Sequence, residues 1–178
     1  MAKIRLTKNE LKKQKDDLKR FTRYLPTLEL KKKQLLAEIR QIQNVVDELQ
    51  EKVKQVDKQV NAWADVFAED VDLNEMFQVV EIKTGMGNIA GIDIPLFEDV
   101  VFEDSEYDYL PTPLWVAAAL KVVKDQIKHR AELKGAEEQQ QIIRDELRVT
   151  IQRIKLFEEV KIPEAKENIR KIQIYLGD

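Results

Sequence analysis

The sequence predicts a mainly α fold: a long antiparallel two-helix coiled coil formed by the N- and C-terminal helices, with a short β-hairpin in the central region. Three observations predict it. Apolar residues in the first third recur with a period near 3.5, sustained over about eight heptads. A second helical stretch of similar length closes the chain. Between them lies a segment that holds three of the five glycines and three of the five prolines.

The N-terminal helix is expected over residues 7–70. Thr7 and Glu10 have the N-cap and N3 spacing of a capping box. One seven-residue ladder then runs Leu11, Leu18, Leu25, Ile39, Val46, Val53, Val60 and Phe67, with Lys32 as its polar rung. A second, offset by three, runs Phe21, Leu28, Leu35, Ile42, Leu49, Val56 and Trp63, with Gln14 as its polar rung. A generic amphipathic helix drifts out of this register within a few heptads, so the pattern specifies a partner helix. Pro26 interrupts the helix without breaking the seam. It therefore predicts a kink rather than a boundary, at a cost of about 3 kcal/mol that the packed seam must offset.

The central region, 71–112, breaks the pattern. Val79–Thr84 and Asn88–Ile94 alternate and are expected to pair as a β-hairpin over about residues 79–94, joined by "GMGN". "EDVVFED" reads as a third extended piece, and Val100, Val101 and Phe102 are expected to be exposed and to need cover from a partner. "GMG" lacks the following Gly-Lys-Ser/Thr of a phosphate loop.

The C-terminal helix is expected over 113–177, with Pro113 suited to its first turn. Gly135 and "EEQQQ" weaken its middle. Its seam includes Leu147, Ile151, Ile154, Ile169 and Ile172, and Pro163 is expected to kink it. Two helices of similar length favour an intramolecular hairpin over a parallel homodimer. Facing residue numbers would then sum to about 183, as equal rise along both helices requires. Pro26 would lie near residue 157, bringing the two prolines to one level, each bend braced by the other helix.

Composition excludes several functions. Charged residues make up 35% of the 178 residues and aromatics 7%. There is no cysteine, hence no disulfide framework and no thiolate metal site. No run of about 18 apolar residues would span a bilayer, and "MAKIRLTKNE" is too polar for a secretory signal. The expectation is a soluble cytoplasmic protein without direct membrane insertion. The net charge of −3 conceals a segregation. Residues 1–33 carry twelve Lys or Arg against four acids, or +8, whereas residues 65–108 carry thirteen acids against Lys83 alone, or −12.

Nothing in the chain suggests catalysis, a cofactor or a metal. The single histidine, His129, lies on a polar helix face, and Ser105 is the only serine. "FEDVVFEDSEYD" is acidic but lacks the glycine and ligand spacing of a calcium loop. The basic N-terminus lacks the interleaved aromatics of a nucleic-acid surface. Mechanical or adaptor work remains.

Three stretches carry a family resemblance. "LTKNEL", followed by Leu28, Lys31, Lys32 and Leu35, is similar to an N-terminal Thr-Arg/Lys-x-x-Leu start and a Leu-x-x-Lys-Arg-x-x-Leu helix motif. "NIAGIDIP", Asn88 to Pro95, resembles Asn-Ile-x-Gly-Val-x-Val-Pro. "TIQRIKLFEEVKIP", Thr150 to Pro163, resembles Thr-x-x-Arg-Val-Asn-Ala-Leu-Glu-x-x-x-Ile-Pro, with Gln152 beside the retained Arg153. In this order they resemble the D subunit of the V/A-type rotary ATPases, the rotor component of the central stalk. Pro163 is shared with that family, while Pro26 is more peculiar to this chain. "RYLPT" stands where the family often has Gly-His, and many relatives extend the last helix beyond "IYLGD".

The resemblance implies a non-catalytic shaft of an ATPase or ATP synthase, inserted into the catalytic A/B hexamer. Such a shaft couples ATP turnover to rotation and to ion translocation through the membrane ring. The A and B subunits would contact Lys3, Arg5, Lys8, Lys12, Lys13 and Arg153. The F subunit and the connector to the ring would contact the central region, including Asn88, Ile89, Gly91, Ile92, Ile94 and Pro95. The protein would be peripheral to the membrane and bind no nucleic acid. A prefoldin-like chaperone subunit, a generic coiled-coil scaffold and an RNA-binding helical arm are the competing expectations.

Overall fold

The computed structural model describes residues 3–66, 72–106 and 114–177, with the helical backbone but not the side chains of 64–66. Phe67, expected on the seam, and Pro113, expected at a helix start, lie outside the described residues. The element order is α1 (Lys8–Val66), a 3-10 turn (Leu73–Glu75), β1 (Phe77–Ile89), β2 (Ile92–Asp104), α2 (Trp115–Lys155), a π-helical turn (Leu156–Lys161) and α3 (Ile162–Leu176). The fold is mainly α, with two long helical stretches and one antiparallel hairpin. The chain divides into two compact units, residues 1–37 with 144–178, and residues 38–143.

In the first unit, α1 begins where the sequence places a cap: the Glu10 N–H donates to Thr7 Oγ1 at 3.2 Å and the Leu11 N–H to the Thr7 carbonyl at 2.9 Å. The Glu10 carboxylate does not close the capping box; it accepts from Gln14 Nε2 at 2.9 Å. The helix continues through Pro26 without interruption. Pro26 withholds a donor from the Thr22 carbonyl, and the Thr22 hydroxyl donates one turn back to the Leu18 carbonyl at 2.8 Å. The returning stretch of this unit runs antiparallel to α1. Asn168 meets Gln14, Phe157 meets Phe21, and Glu146 meets Lys31. Leu28 and Leu35 of α1 are buried, and on the returning stretch so are Thr150, Ile154, Ala165, Asn168 and Ile172.

The C-terminal helix is not continuous α-helix. Pro163 is preceded by a π-turn in which the Ile162 N–H reaches the Phe157 carbonyl five residues back. The proline withholds an N–H from the Glu159 carbonyl, and widening the preceding turn re-pairs the backbone around that gap. The turn also sets the packing. Phe157 and Ile162 are half-buried while residues 158–161 are exposed. A step of five replaces the usual step of three or four, so the apolar face stays on one side through the irregularity.

In the second unit, Ile39, Ile42, Val46, Leu49 and Val53 of α1 and Ala136 and Ile143 of α2 are buried. Here too the helices run antiparallel: Gln140 donates to Gln43 Oε1 at 2.8 Å, and Gln126 to the Val53 carbonyl at 2.9 Å. Phe77, Val116 and Leu120 form a cluster completed by Leu73, Met76, Phe102, Trp115, Val123 and Ile127.

The hairpin is longer than the sequence suggests, and its turn lies elsewhere. "GMGN" continues β1, and the reversal falls on Ala90 and Gly91, with φ of 52° and 81°. Positive φ at both positions is the two-residue turn whose twist matches the strands. "EDVVFED" is the second half of β2 rather than a separate piece. Ladder irregularities fall between Val79 and Glu81 and between Lys83 and Thr84, leaving Val80 and Glu98 as the extra residues of two bulges. Val100 is buried and Phe102 packs edge-on against Phe77 with ring centroids 5.6 Å apart. These residues are covered by their own chain, contrary to the expectation that a partner must cover them. Phe102 is covered by Val116 and Leu120 of α2, a later element of the chain.

Candidate functional site

Two surfaces present the residues singled out in the sequence. In the first unit, Lys3, Arg5, Lys8, Lys12 and Lys13 are exposed, as is Arg153. Their ammonium and guanidinium groups form no ion pairs among the described residues, so they remain available to acidic partners. Neighbouring charges serve the unit itself. Lys31 Nζ pairs with Glu146 at 2.7 Å, both about 30% exposed, fixing α1 against α2. The Gln14 rung meets the buried Asn168 at 3.4 Å, a polar pair inside an apolar seam.

Of the seam residues, Leu28, Leu35, Ile39, Ile42, Val46, Leu49, Val53, Ile154 and Ile172 are buried. Leu11, Leu18, Phe21, Leu25, Val56, Val60, Trp63, Leu147, Ile151 and Ile169 are half-buried. Around the two prolines lies an aromatic contact. The Phe157 ring sits 5.4 Å from Phe21 and 5.7 Å, edge-on, from Tyr24. Leu156, Val160 and Tyr24 leave much of their apolar surface open beside it.

The second unit presents the hairpin. Asn88 Oδ1 accepts the Gly91 N–H at 3.0 Å, and its amide donates to Asp93 at 3.1 Å, so Asn88 staples the turn. Ile94 is 1% exposed and works as a core residue. Ile89 and Ile92 close the turn as a cross-strand pair. Within the hairpin, then, "NIAGIDIP" has structural work for most of its residues.

Several groups that seat the hairpin on α2 escaped the sequence reading. Gln139, in the "EEQQQ" run, donates to the Pro95 carbonyl at 2.6 Å. Lys128 pairs with Asp99 at 3.1 Å, and Lys124 pairs with Asp104 while lying 5.5 Å and 5.6 Å from the Phe77 and Phe102 ring centres. Between α1 and α2, the Arg130 guanidinium grips both oxygens of Asp57 at 2.9 and 2.8 Å, and Gln126 adds a third bond at 2.8 Å. These hydrogen bonds, led by Gln126 and then Arg130, hold the Asp57 carboxyl below its ordinary value. Asp99 is lowered likewise, first by the Val100 N–H and then by Lys128. No local pattern announces such pairs, because each partner lies on a different element.

His129, expected on a polar face, is half-buried on α2, and its Nδ1 meets no hydrogen-bond partner among the described residues. Among the described residues, no group of three or more His, Cys, Asp or Glu side chains could hold a metal ion. Nor is any helix among them long and apolar enough to cross a membrane. The geometry builds contact surfaces and interhelical locks.

Comparison with known proteins points the same way along the whole chain. The sequence profile for the ATP synthase D subunit matches residues 10–178. A V-type ATP synthase D subunit of Borreliella burgdorferi is 45% identical over 183 residues, covering 100% of this chain and 88% of the relative. A V-type ATP synthase D subunit of Chlamydia trachomatis is 32% identical over 180 residues, covering 99% and 89%. That of Chlamydia muridarum is 31% identical over the same length and coverage. With its paired long helices, central hairpin and end-to-end match, this chain belongs to the ATP synthase D-subunit family.

Proposed function

We propose that the chain is the non-catalytic central shaft of a V-type ATPase or ATP synthase, coupling ATP hydrolysis or synthesis in an A/B hexamer to rotation and ion translocation. The observation that carries this reading is the antiparallel helix pairing found in each unit of a D-subunit family member. Interlocked seam side chains let two helices resist twisting together, which suits torque transmission. The shaft performs no bond chemistry. Its surface differs from side to side, so each catalytic interface around it meets different contacts and favours a different conformation; that is differential affinity between states.

In this reading the basic face, Lys3, Arg5, Lys8, Lys12, Lys13 and Arg153, meets the A and B subunits. The hairpin region, with Asn88 to Pro95, meets the F subunit and the connector to the ring. Pro26 and Pro163 bend the paired helices and add asymmetry. The protein works on the cytoplasmic side, peripheral to the membrane and without entering it.

The test is affinity recovery of the tagged chain from its native lysate, followed by an ATPase assay. Recovery of A, B and F subunits with ATPase activity supports the shaft. Recovery of unfolded clients without ATPase overturns it in favour of a chaperone, and recovery of neither leaves a scaffold.

A further inference from the structure

The two outer edges of the hairpin are not equivalent. Ile89 and Ile92 close a two-residue turn, so they form a hydrogen-bonded pair, and the ladder alternates from there. Gly87 with Ile94 and Gly85 with Leu96 are hydrogen-bonded pairs. Asn88 with Asp93, Met86 with Pro95 and Thr84 with Phe97 are not, and these residues point N–H and C=O away from the partner strand. Pro95 falls where its missing N–H costs the ladder nothing.

The outer edge of β2 is blunted. Pro95 offers no donor, and its carbonyl is taken by Gln139 at 2.6 Å. The Val100 N–H turns to the carboxylate of Asp99 at 2.8 Å. The outer edge of β1 has no such cover: the outward backbone groups of Thr84, Met86 and Asn88 meet no hydrogen-bond partner among the described residues. Ile82 and Met86 share one face of β1 and are 50% and 74% exposed. A free edge with alternating apolar side chains is a template for a further strand.

The charge around that edge selects its occupant. Residues 72–106 carry nine carboxylates and one lysine. Of the nine, only Asp99 and Asp104 are ion-paired among the described residues, to Lys128 and Lys124. We propose that the outer edge of β1 takes up, as a third strand, an extended Lys/Arg-bearing segment of another protein of the rotary complex. Its backbone pairs with Thr84, Met86 and Asn88, its apolar side chains cover Ile82 and Met86, and its cations meet the unpaired carboxylates. This inference rests on the shaft reading.

The test is amide hydrogen exchange on the full chain, alone and in the complex recovered through its tag after co-expression with the other V-type ATPase subunits. Exchange at residues 82–88 slows on the order of tenfold or more in the complex, as for amides newly paired in a sheet. Met86→Pro removes an outward N–H that the hairpin does not use. The variant keeps the helical circular dichroism and melting midpoint of the parent but loses that protection, and Met86→Lys, which retains the N–H, keeps it partly. Equal exchange in the free and assembled chain, with ATPase subunits recovered, overturns the third strand and leaves the shaft standing. Recovery of no ATPase subunits by the unsubstituted chain overturns both. Protection that appears in the chain alone, with a dimer by sedimentation that Met86→Pro abolishes, assigns the edge to a second copy and overturns the partner strand.

Discussion

Phe157, inside the π-turn, packs on Phe21 of α1 with ring centroids 5.4 Å apart and planes tilted by 41°. The contact lies within two turns of both Pro26 and Pro163, each of which removes one backbone donor from its helix, so side-chain packing carries more of the local stability. Phe157→Ala is expected to cost about 2–3 kcal/mol, below a fully buried phenylalanine because the ring is half-buried. A double-mutant cycle with Phe21→Ala in urea unfolding should return a coupling of about 0.5–1.5 kcal/mol.

The π-turn accommodates Pro163 within a continuing helix. Deleting Glu159 would let the turn close as ordinary α-helix, with the step from Phe157 to Ile162 cut from five to four so that the flanking faces stay in phase, but it would press the proline ring against the carbonyl one turn back. Ala165, Asn168 and Ile172 would keep their side of the seam and lose the relaxed backbone that seats them. The deletion is expected to lower the thermal midpoint and speed hydrogen exchange over residues 162–176, although it removes an irregularity. A higher midpoint would contradict this account.

Gly135 lies inside the continuous helix α2 without evident need. A Cβ there would stand 3.5 Å from Phe97 Cβ, an ordinary contact. Gly135→Ala is therefore expected to stabilise the protein by about 0.5–1 kcal/mol through helix propensity, read as a rise in the urea midpoint at unchanged m-value.

Ala90 bears the opposite strain, holding φ at 52° where a Cβ is disfavoured. Ala90→Asn, which suits this turn before Gly91, is expected to stabilise by about 0.5–1 kcal/mol. The gain should appear as slower amide exchange in β1 and β2.

Acid should loosen the second unit through Asp57 and Asp99. Both carboxyls titrate below 3.8 in the folded chain because hydrogen bonds and nearby cations favour their ionised forms. Their contribution is fully present above the unfolded value and disappears as pH falls through the lower folded values. Asp57→Asn is therefore expected to flatten the decline of the urea midpoint as pH falls below about 4. An unchanged acid slope would show that the Arg130 and Gln126 bonds do not favour the ionised form.

Periodicity made the helices legible, since Leu28, Leu35, Ile42 and Leu49 repeat every seven residues and only a facing helix can bury that stripe. The hairpin was legible as alternation, but its turn was not. "GMGN" carries more turn residues than "IAGI", yet the turn falls on Ala90 because the strands on either side gain a full ladder and a buried Ile94 from that register. Tertiary packing outweighs the local preference by recruiting more residues. The π-turn leaves a trace in the five-residue step from Phe157 to Ile162, which is readable only once Pro163 is known to leave a carbonyl unpaired within a continuing helix.

By itself the sequence determined the fold class, the antiparallel sense implied by two stretches of equal length, and the family, because these depend on repeats and ordered motifs that neighbouring residues already contain. Tertiary structure alone decided which polar residues serve packing. Asp57 with Arg130, Gln139 with Pro95 and Gln14 with Asn168 join residues far apart in the chain. It also decided that β2 has a blunted edge and β1 an open one. Such pairings depend on where two elements come to lie against each other, and a charge or amide in sequence carries no mark of the partner it will meet.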